Sequence, residues 1–283
     1  MSVRHESFVS PGIRKTHRVA YAEWGEPDNP RVLICVQGLT RNGRDFDTLA
    51  EALAGDYRVV CPDVVGRGAS DWLEDKNEYG YPRYVADMLA LIDHLEAGGV
   101  HWVGTSMGGL IGMFLSALPE SPITRMVMND VGPFLPKAAL QRIVAYVGED
   151  PRFPDMEALD AYLRVIYAPF GPFTDEQWQG LVASSARALD NGEVGLTYDP
   201  DIAVPLRAMP VEDIDMWPVW NEISSPVLVI RGEKSDVLLA ETAENMINTG
   251  PRASLEVLAG IGHAPTLMSD DQVALVQDWL SDA

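Results

Sequence analysis

A serine framed by glycines stands in Gly104-Thr105-Ser106-Met107-Gly108-Gly109, between the apolar run Val100-His101-Trp102-Val103 and the helix-compatible Leu110-Ile111-Gly112-Met113-Phe114-Leu115. The stretch reads as strand, sharp turn and helix, with the serine at the apex. A residue there takes strained backbone angles, so small residues two before and two after it are needed to let strand and helix approach. Gly104 and Gly108 meet that need. The turn lifts the hydroxyl above the sheet and aims the next backbone N–H, that of Met107, at a developing oxyanion. The same five-residue pattern arises in ordinary turns, but its place between an apolar strand and a helix points to nucleophilic acyl transfer.

A serine hydroxyl is a weak nucleophile, so this chemistry needs a histidine base and an acid that fixes the histidine tautomer. His263 lies in Gly260-Ile261-Gly262-His263-Ala264-Pro265, a glycine-rich loop after the last apolar run. Two carboxylates qualify as the acid. Asp236 sits in Arg231-Gly232-Glu233-Lys234-Ser235-Asp236 and Asp130 in Asn129-Asp130-Val131-Gly132, each just past an apolar run. Both loops leave the same edge of a parallel sheet, so either can reach the imidazole. The sequence favours Asp236, with Asp130 as the second acid candidate.

The elements that must position these groups are written in the hydropathy pattern. Apolar runs at 32–36, 57–61, 100–103, 126–128, 227–230 and 255–258 alternate with helical periodicity at 46–53, 84–95, 110–118 and 273–280. Buried parallel strands with helical crossovers give this pattern. Two weaker strands, 6–9 and 18–24, precede the turn at 25–30 and are expected to form an antiparallel edge. Residues 133–221 break the alternation with helical patterns at 135–147, 156–166 and 175–189 and many prolines. That segment is read as a helical cap inserted into a core made of residues 1–132 and 222–283, lying over the strand C-terminal ends where open sheets bind ligands.

Composition narrows the function classes. The 283 residues are 47% hydrophobic, enough for a substantial core, and no run approaches the length of a membrane span. The first residues lack the apolar stretch of a signal peptide, so a cytoplasmic location is expected. Forty-two acidic against 21 basic residues give a formal charge of −21, which repels nucleic acid and anionic lipid surfaces. Only four of the cations are lysines, a composition that solubility explains and that salt adaptation also fits. Cys35 and Cys61 lie in apolar runs and read as buried thiols, and the five histidines are too scattered for a metal site, so neither metal nor cofactor is expected.

These motifs together resemble the alpha/beta-hydrolase fold family over nearly the whole chain. Cys61-Pro62-Asp63-Val64-Val65-Gly66-Arg67-Gly68-Ala69-Ser70-Asp71 is similar to its D-x-x-G-x-G-x-S segment, and 232–236 to its G-x-x-S-D acid loop. The resemblance implies a mostly parallel eight-stranded sheet with helices on both faces. It also implies that the loop Val36-Gln37-Gly38-Leu39-Thr40-Arg41 supplies the second oxyanion donor, so that Leu39 pairs with Met107. Gln37 replaces the histidine usual in that loop, a departure that touches loop packing or substrate preference, and Gln37 and Arg41 are candidate substrate contacts.

The resulting expectation is a carboxylic-ester hydrolase acting on a small or medium apolar substrate, with Ser106, Asp236 and His263 as the triad. The same triad serves C–C bond hydrolases, amidases and lactonases of aromatic degradation, in which Arg41, Arg142, Arg152 or Arg164 would hold a substrate carboxylate. A receptor that uses the fold only to bind a ligand is the third reading, and the intact triad residues argue against it. The expected partner is the small-molecule ester alone, with no nucleic acid and no membrane. Homo-oligomer formation is left open.

Overall fold

The computed structural model describes residues 3–281. Strands β1 (Arg4–Ser10) and β2 (His17–Trp24) pair antiparallel and lead into β3 (Val32–Val36). Helix α1 (Asp47–Leu53), β4 (Arg58–Pro62), α2 (Tyr81–His94), β5 (Val100–Thr105), α3 (Met107–Ser116) and β6 (Ile123–Asn129) then alternate. Between β6 and the next core strand lie β7 (Phe134–Leu135), α4 (Lys137–Tyr146), α5 (Met156–Tyr167), α6 (Asp175–Ser185), β8 (Ala186–Ala188) and β9 (Val194–Leu196). The same stretch continues through α7 (Ala203–Ala208), β10 (Ile214–Asp215) and α8 (Trp217–Asn221). The chain closes with β11 (Val227–Gly232), α9 (Ala240–Met246), β12 (Ser254–Leu258) and α10 (Asp270–Ser281).

Eight strands form one sheet in the order β1-β2-β4-β3-β5-β6-β11-β12. From β4 to β12 all neighbours are parallel, while β2 meets β4 antiparallel, so the two N-terminal strands form the antiparallel edge. The apolar runs of β3, β4, β5, β6 and β11 are nearly continuous because both faces of these strands are covered, whereas the edge strand β12 is largely exposed. In β3, Val32, Ile34 and Val36 point into the core shared with α2, α3 and α8, whereas Leu33 and Cys35 point into the core shared with α1 and α10. Each buried aliphatic side chain of this kind contributes about 1.5 to 3 kcal/mol of transfer free energy.

Residues 133–221 add no strand to this sheet; their short strands pair only with one another, β7 with β10 and β8 with β9. Phe153, Leu159, Leu163, Trp178, Leu181 and Val182 make a separate small core between α5 and α6. The helical pattern expected through 189 stops at Ser185, after which the chain extends and folds back as the β8–β9 hairpin.

Candidate functional site

Ser106 links β5 to α3 with φ 52° and ψ −110°, a conformation costly for a residue with a Cβ. The glycines around it are required by contact. A Cβ on Gly104 would lie 2.3 Å from the Gly108 carbonyl oxygen, and one on Gly108 would lie 2.0 Å from that of Val36. The buried Trp102 indole donates to the same Gly108 carbonyl at 3.0 Å and pins the first turn of α3 to the strand beneath it.

The register of the parallel sheet decides which carboxylate meets the histidine. Thr105 on β5 lies beside Asn129 on β6, so the next residues, Ser106 and Asp130, leave adjacent strand ends side by side. The Ser106 N–H donates to the Asn129 carbonyl at 2.9 Å. Asp130 is fully buried with φ 58°, and its N–H donates to the Ile230 carbonyl at 2.7 Å. One carboxylate oxygen accepts the Gly232 N–H at 2.8 Å, which leaves the other 2.7 Å from His263 Nδ1. His263 Nε2 lies 3.0 Å from Ser106 Oγ. With the proton on Nδ1 facing the carboxylate, Nε2 is the acceptor for the serine hydroxyl.

This corrects the expectation for Asp236. The loop after β11 closes a turn through the Ser235 N–H on the Gly232 carbonyl, and Ser235 Oγ then accepts the N–H groups of Val237 and Leu238. Beyond that turn Asp236 pairs with Arg142 of α4 at 2.6 and 2.9 Å, half exposed and, like Arg142, among the residues lining the cavity, and it makes no hydrogen bond to His263. The loop gives the site a backbone N–H, that of Gly232, instead of a carboxylate.

His263 is held by the same two loops. The Glu233 and Lys234 N–H groups donate to the Leu258 and Ile261 carbonyls, and the Gly262 N–H donates to the Pro169 carbonyl of the 133–221 segment. Asn129, which sequence reasoning passed over, donates to Thr105 Oγ1 at 3.0 Å and to the Pro265 carbonyl at 2.8 Å, tying the histidine loop to the nucleophile strand. An asparagine at the end of an apolar strand, where an aliphatic residue would pack, was the available signal.

Gly38 packs against the serine; a Cβ built on it would sit 3.9 Å from Ser106 Cβ, which brings the Leu39 turn to the nucleophile. Met107 begins α3, so its N–H has no acceptor within the helix. Gln37, expected as a substrate contact, is among the residues lining the cavity, but it is fully buried and its amide is occupied. Its amide donates to the Pro62 carbonyl and accepts the Val64 N–H, both at 2.9 Å, stitching the loop after β3 to the loop after β4. Arg41 lines the cavity, but its guanidinium is bound by Asp45 and by Ser185 Oγ at 2.6 Å and lies over the Tyr167 ring. Burial would lower its pKa, yet Asp45 and Tyr167 hold it above its ordinary value, so it stays a paired cation; burial pushes the Tyr167 hydroxyl up to about 12. Arg152 and Arg164 pair with Asp150 and Asp160 on the surface, so each of the four arginines has a carboxylate partner within the chain.

Ser106 and His263 open into a cavity of about 1660 Å³ whose lining is mainly apolar, including Tyr81, Leu135, Ile143, Tyr146, Leu163 and Phe170. Most of these residues belong to the 133–221 segment. A polarised hydroxyl beside such a pocket can attack a carbonyl carbon held by an apolar chain. Among the described residues no helix is long and apolar enough to cross a membrane.

A model of the alpha/beta hydrolase family matches residues 33–276. This chain belongs to that family. It is 50% identical over 275 residues to a 3-hydroxybutyrate-oligomer hydrolase of Cupriavidus necator, with 94% of each chain covered. It is also 26% identical to a 2-(acetamidomethylene)succinate hydrolase of Mesorhizobium japonicum over 82% of this chain and 81% of that one. The crystal structure of an alpha/beta hydrolase from Novosphingobium aromaticivorans superposes with a TM-score of 0.87 at 34% identity, covering 99% of both chains. The eight-stranded, mostly parallel sheet of this hydrolase is the alpha/beta-hydrolase fold.

Proposed function

We propose that this hydrolase cleaves carboxylic esters, with short 3-hydroxyalkanoate oligomers as the substrate class, through an acyl-enzyme on Ser106. The observation that carries the reading is the unbroken chain from Ser106 Oγ to His263 Nε2 at 3.0 Å and from His263 Nδ1 to Asp130 at 2.7 Å, opening into an apolar cavity. As Oγ attacks the ester carbonyl, its proton passes to Nε2, and buried Asp130 stabilises the imidazolium that forms. The carbonyl oxygen takes up negative charge facing the Leu39 and Met107 N–H groups. Collapse of the tetrahedral intermediate expels the alcohol oxygen, which takes the proton from Nε2. Water then enters, gives a proton to Nε2, and releases the acid and Ser106 by the same steps in reverse order.

The 133–221 segment acts in this reading as a cap that supplies the cavity wall and selects the acyl chain. Similarity to an oligomer hydrolase supports the substrate class, since each repeat of such an oligomer is an ester with a short aliphatic chain. The pairing of Arg41 with Asp45 and of Arg142 with Asp236 weighs against a site built to clamp a small dicarboxylic amide. The test is a substrate panel of 3-hydroxybutyrate dimer to pentamer, p-nitrophenyl esters of graded chain length, an amide and a dienone acid. The reading requires the highest kcat/KM on the oligomers or short esters, and preference for the amide or dienone would overturn it.

A further inference from the structure

Arg67 is fully buried, and its hydrogen-bond acceptors are the Leu39 and Val65 carbonyls, at 2.9 and 2.8 Å, the Tyr84 hydroxyl at 2.9 Å and Met107 Sδ at 3.6 Å. None is a carboxylate, although a guanidinium keeps its charge and buried cations are ordinarily paired. Two of the four acceptors belong to Leu39 and Met107, the residues whose N–H groups face the oxyanion in the reading above.

The segment around Arg67 is shaped to hold it there. Gly66 and Gly68 on either side have φ of 83° and 54°, and a Cβ on Gly68 would strike the Asp63 carboxylate at 2.2 Å. Asp63 accepts the N–H groups of Gly43 and Ala69, both at 2.8 Å, and Ser70 Oγ donates back to the Asp63 carbonyl. Left-handed glycines on both sides turn the Arg67 side chain inward beneath residues 38–41. The D-x-x-G-x-G-x-S motif thus serves as a bracket for one buried cation.

What the cation grips is the middle of a turn. The Arg41 N–H donates to the Gly38 carbonyl at 3.2 Å, closing a turn with Leu39 and Thr40 at its centre. The Leu39 carbonyl belongs to the central peptide, whose orientation distinguishes the common turn types. Holding that carbonyl fixes the turn, and with it the direction of the Leu39 N–H on the preceding peptide. Contact with Met107 Sδ sets the other donor's residue against the same guanidinium.

We infer that Arg67 is a positioning residue for the oxyanion hole: it locks the Leu39 turn against the start of α3, and it brings to both donor residues a guanidinium that rests on neutral acceptors and on the Tyr84 ring, 4.9 Å away, with no carboxylate among its hydrogen-bond partners. This rests on the proposal that Leu39 and Met107 bind the oxyanion. Removing an oxyanion donor outright costs about a hundredfold to a thousandfold in kcat, so displacing one is expected to cost roughly tenfold to a hundredfold.

The experiment compares Arg67→Met and Arg67→Lys with the parent enzyme on a short p-nitrophenyl ester, each rate taken per folded molecule. Competitive inhibition is measured with a trifluoromethyl ketone, which forms a tetrahedral oxyanion on the serine, and with the matching alcohol, which cannot. Arg67→Met is expected to lower kcat by roughly tenfold to a hundredfold with KM little changed. Ketone affinity should fall in step with kcat while alcohol affinity stays constant, and Arg67→Lys should lie between. Equal losses of ketone and alcohol affinity, or a kcat within twofold of the parent, would overturn the inference. If the Met variant does not fold, Arg67→Lys is judged by the same criteria. Ser106→Ala separates the two levels: an active Ser106→Ala refutes the underlying reading, whereas an inert one beside fully active Arg67 variants refutes only the role of Arg67.

Discussion

Replacing Asp130 by asparagine exchanges one carboxylate oxygen for an NH2 group and tests which carboxylate orients His263. In the native arrangement one oxygen of Asp130 accepts the Gly232 N–H and the other faces His263 Nδ1, so both must be acceptors. An amide offers one oxygen and one NH2 group. If its oxygen stays on Gly232, the NH2 faces Nδ1 and drives the imidazole to the tautomer with its proton on Nε2, which cannot take the serine proton. If the amide turns over, its NH2 opposes the Gly232 N–H in a fully buried site, at a cost of about 1 to 3 kcal/mol. Either way the negative charge that stabilises the imidazolium is lost. Asp130→Asn should therefore lower kcat by roughly three to four orders of magnitude, or about 4 to 5.5 kcal/mol at ~1.36 kcal/mol per decade. Asp236→Asn breaks only a half-exposed pair with Arg142, worth about 0 to 1 kcal/mol of stability, and should leave kcat within a few-fold. The assay is hydrolysis of a short p-nitrophenyl ester by both variants, with folding checked by circular dichroism. An Asp130→Asn enzyme retaining more than a tenth of parental kcat, or a larger loss in Asp236→Asn, would refute this assignment.

Gly108→Ala should lower Tm and activity together, since its Cβ would meet the Val36 carbonyl oxygen at 2.0 Å, whereas Gly55→Ala, which meets nothing within 4 Å, should leave both unchanged. Cys35 and Cys61 are fully buried, and burial pushes the Cys35 thiol well up, so neither should react with a thiol reagent until the chain is unfolded in denaturant. Ile143→Trp, which narrows the cavity from the α4 side, should shift ester preference toward shorter acyl chains, on a scale of about 1 to 3 kcal/mol per methylene. An unchanged chain-length profile across that and similar substitutions would separate the 133–221 segment from substrate selection.

Much of the fold was legible because burial on both faces of the sheet leaves unbroken apolar runs. The five central strands β3, β4, β5, β6 and β11, the largely exposed edge strand β12 and the two at the N-terminal edge fall where the hydropathy pattern puts them. Helix α9 was missed because it is seven residues long and buries only Thr242, Ala243 and Met246, too small a face to show as a period. The tail of α6 was overextended because 186–188 carry helix-compatible residues, and only pairing with 194–196 turns them into a strand. That Ser106 and His263 come together was readable from their glycine-framed loops. Which carboxylate meets the imidazole was not, because Asp130 and Asp236 both follow apolar runs, and the choice depends on the β5–β6 register and on the Ser235 turn. Gln37 and Arg41 looked like substrate contacts because sequence places them beside the site. It carries no sign that Pro62, Val64, Asp45 and Ser185 occupy their polar groups.

The proposed mechanism stands or falls on acylation of Ser106, with His263 and Asp130 activating its hydroxyl. The most direct measurement is labelling with a fluorophosphonate followed by peptide mapping in a mass spectrometer, run on the parent, Ser106→Ala and His263→Ala. One adduct per chain is expected, on Ser106, absent from Ser106→Ala and formed orders of magnitude more slowly in His263→Ala. An adduct on another residue, or ester hydrolysis by a folded Ser106→Ala enzyme at a rate near that of the parent, would contradict it.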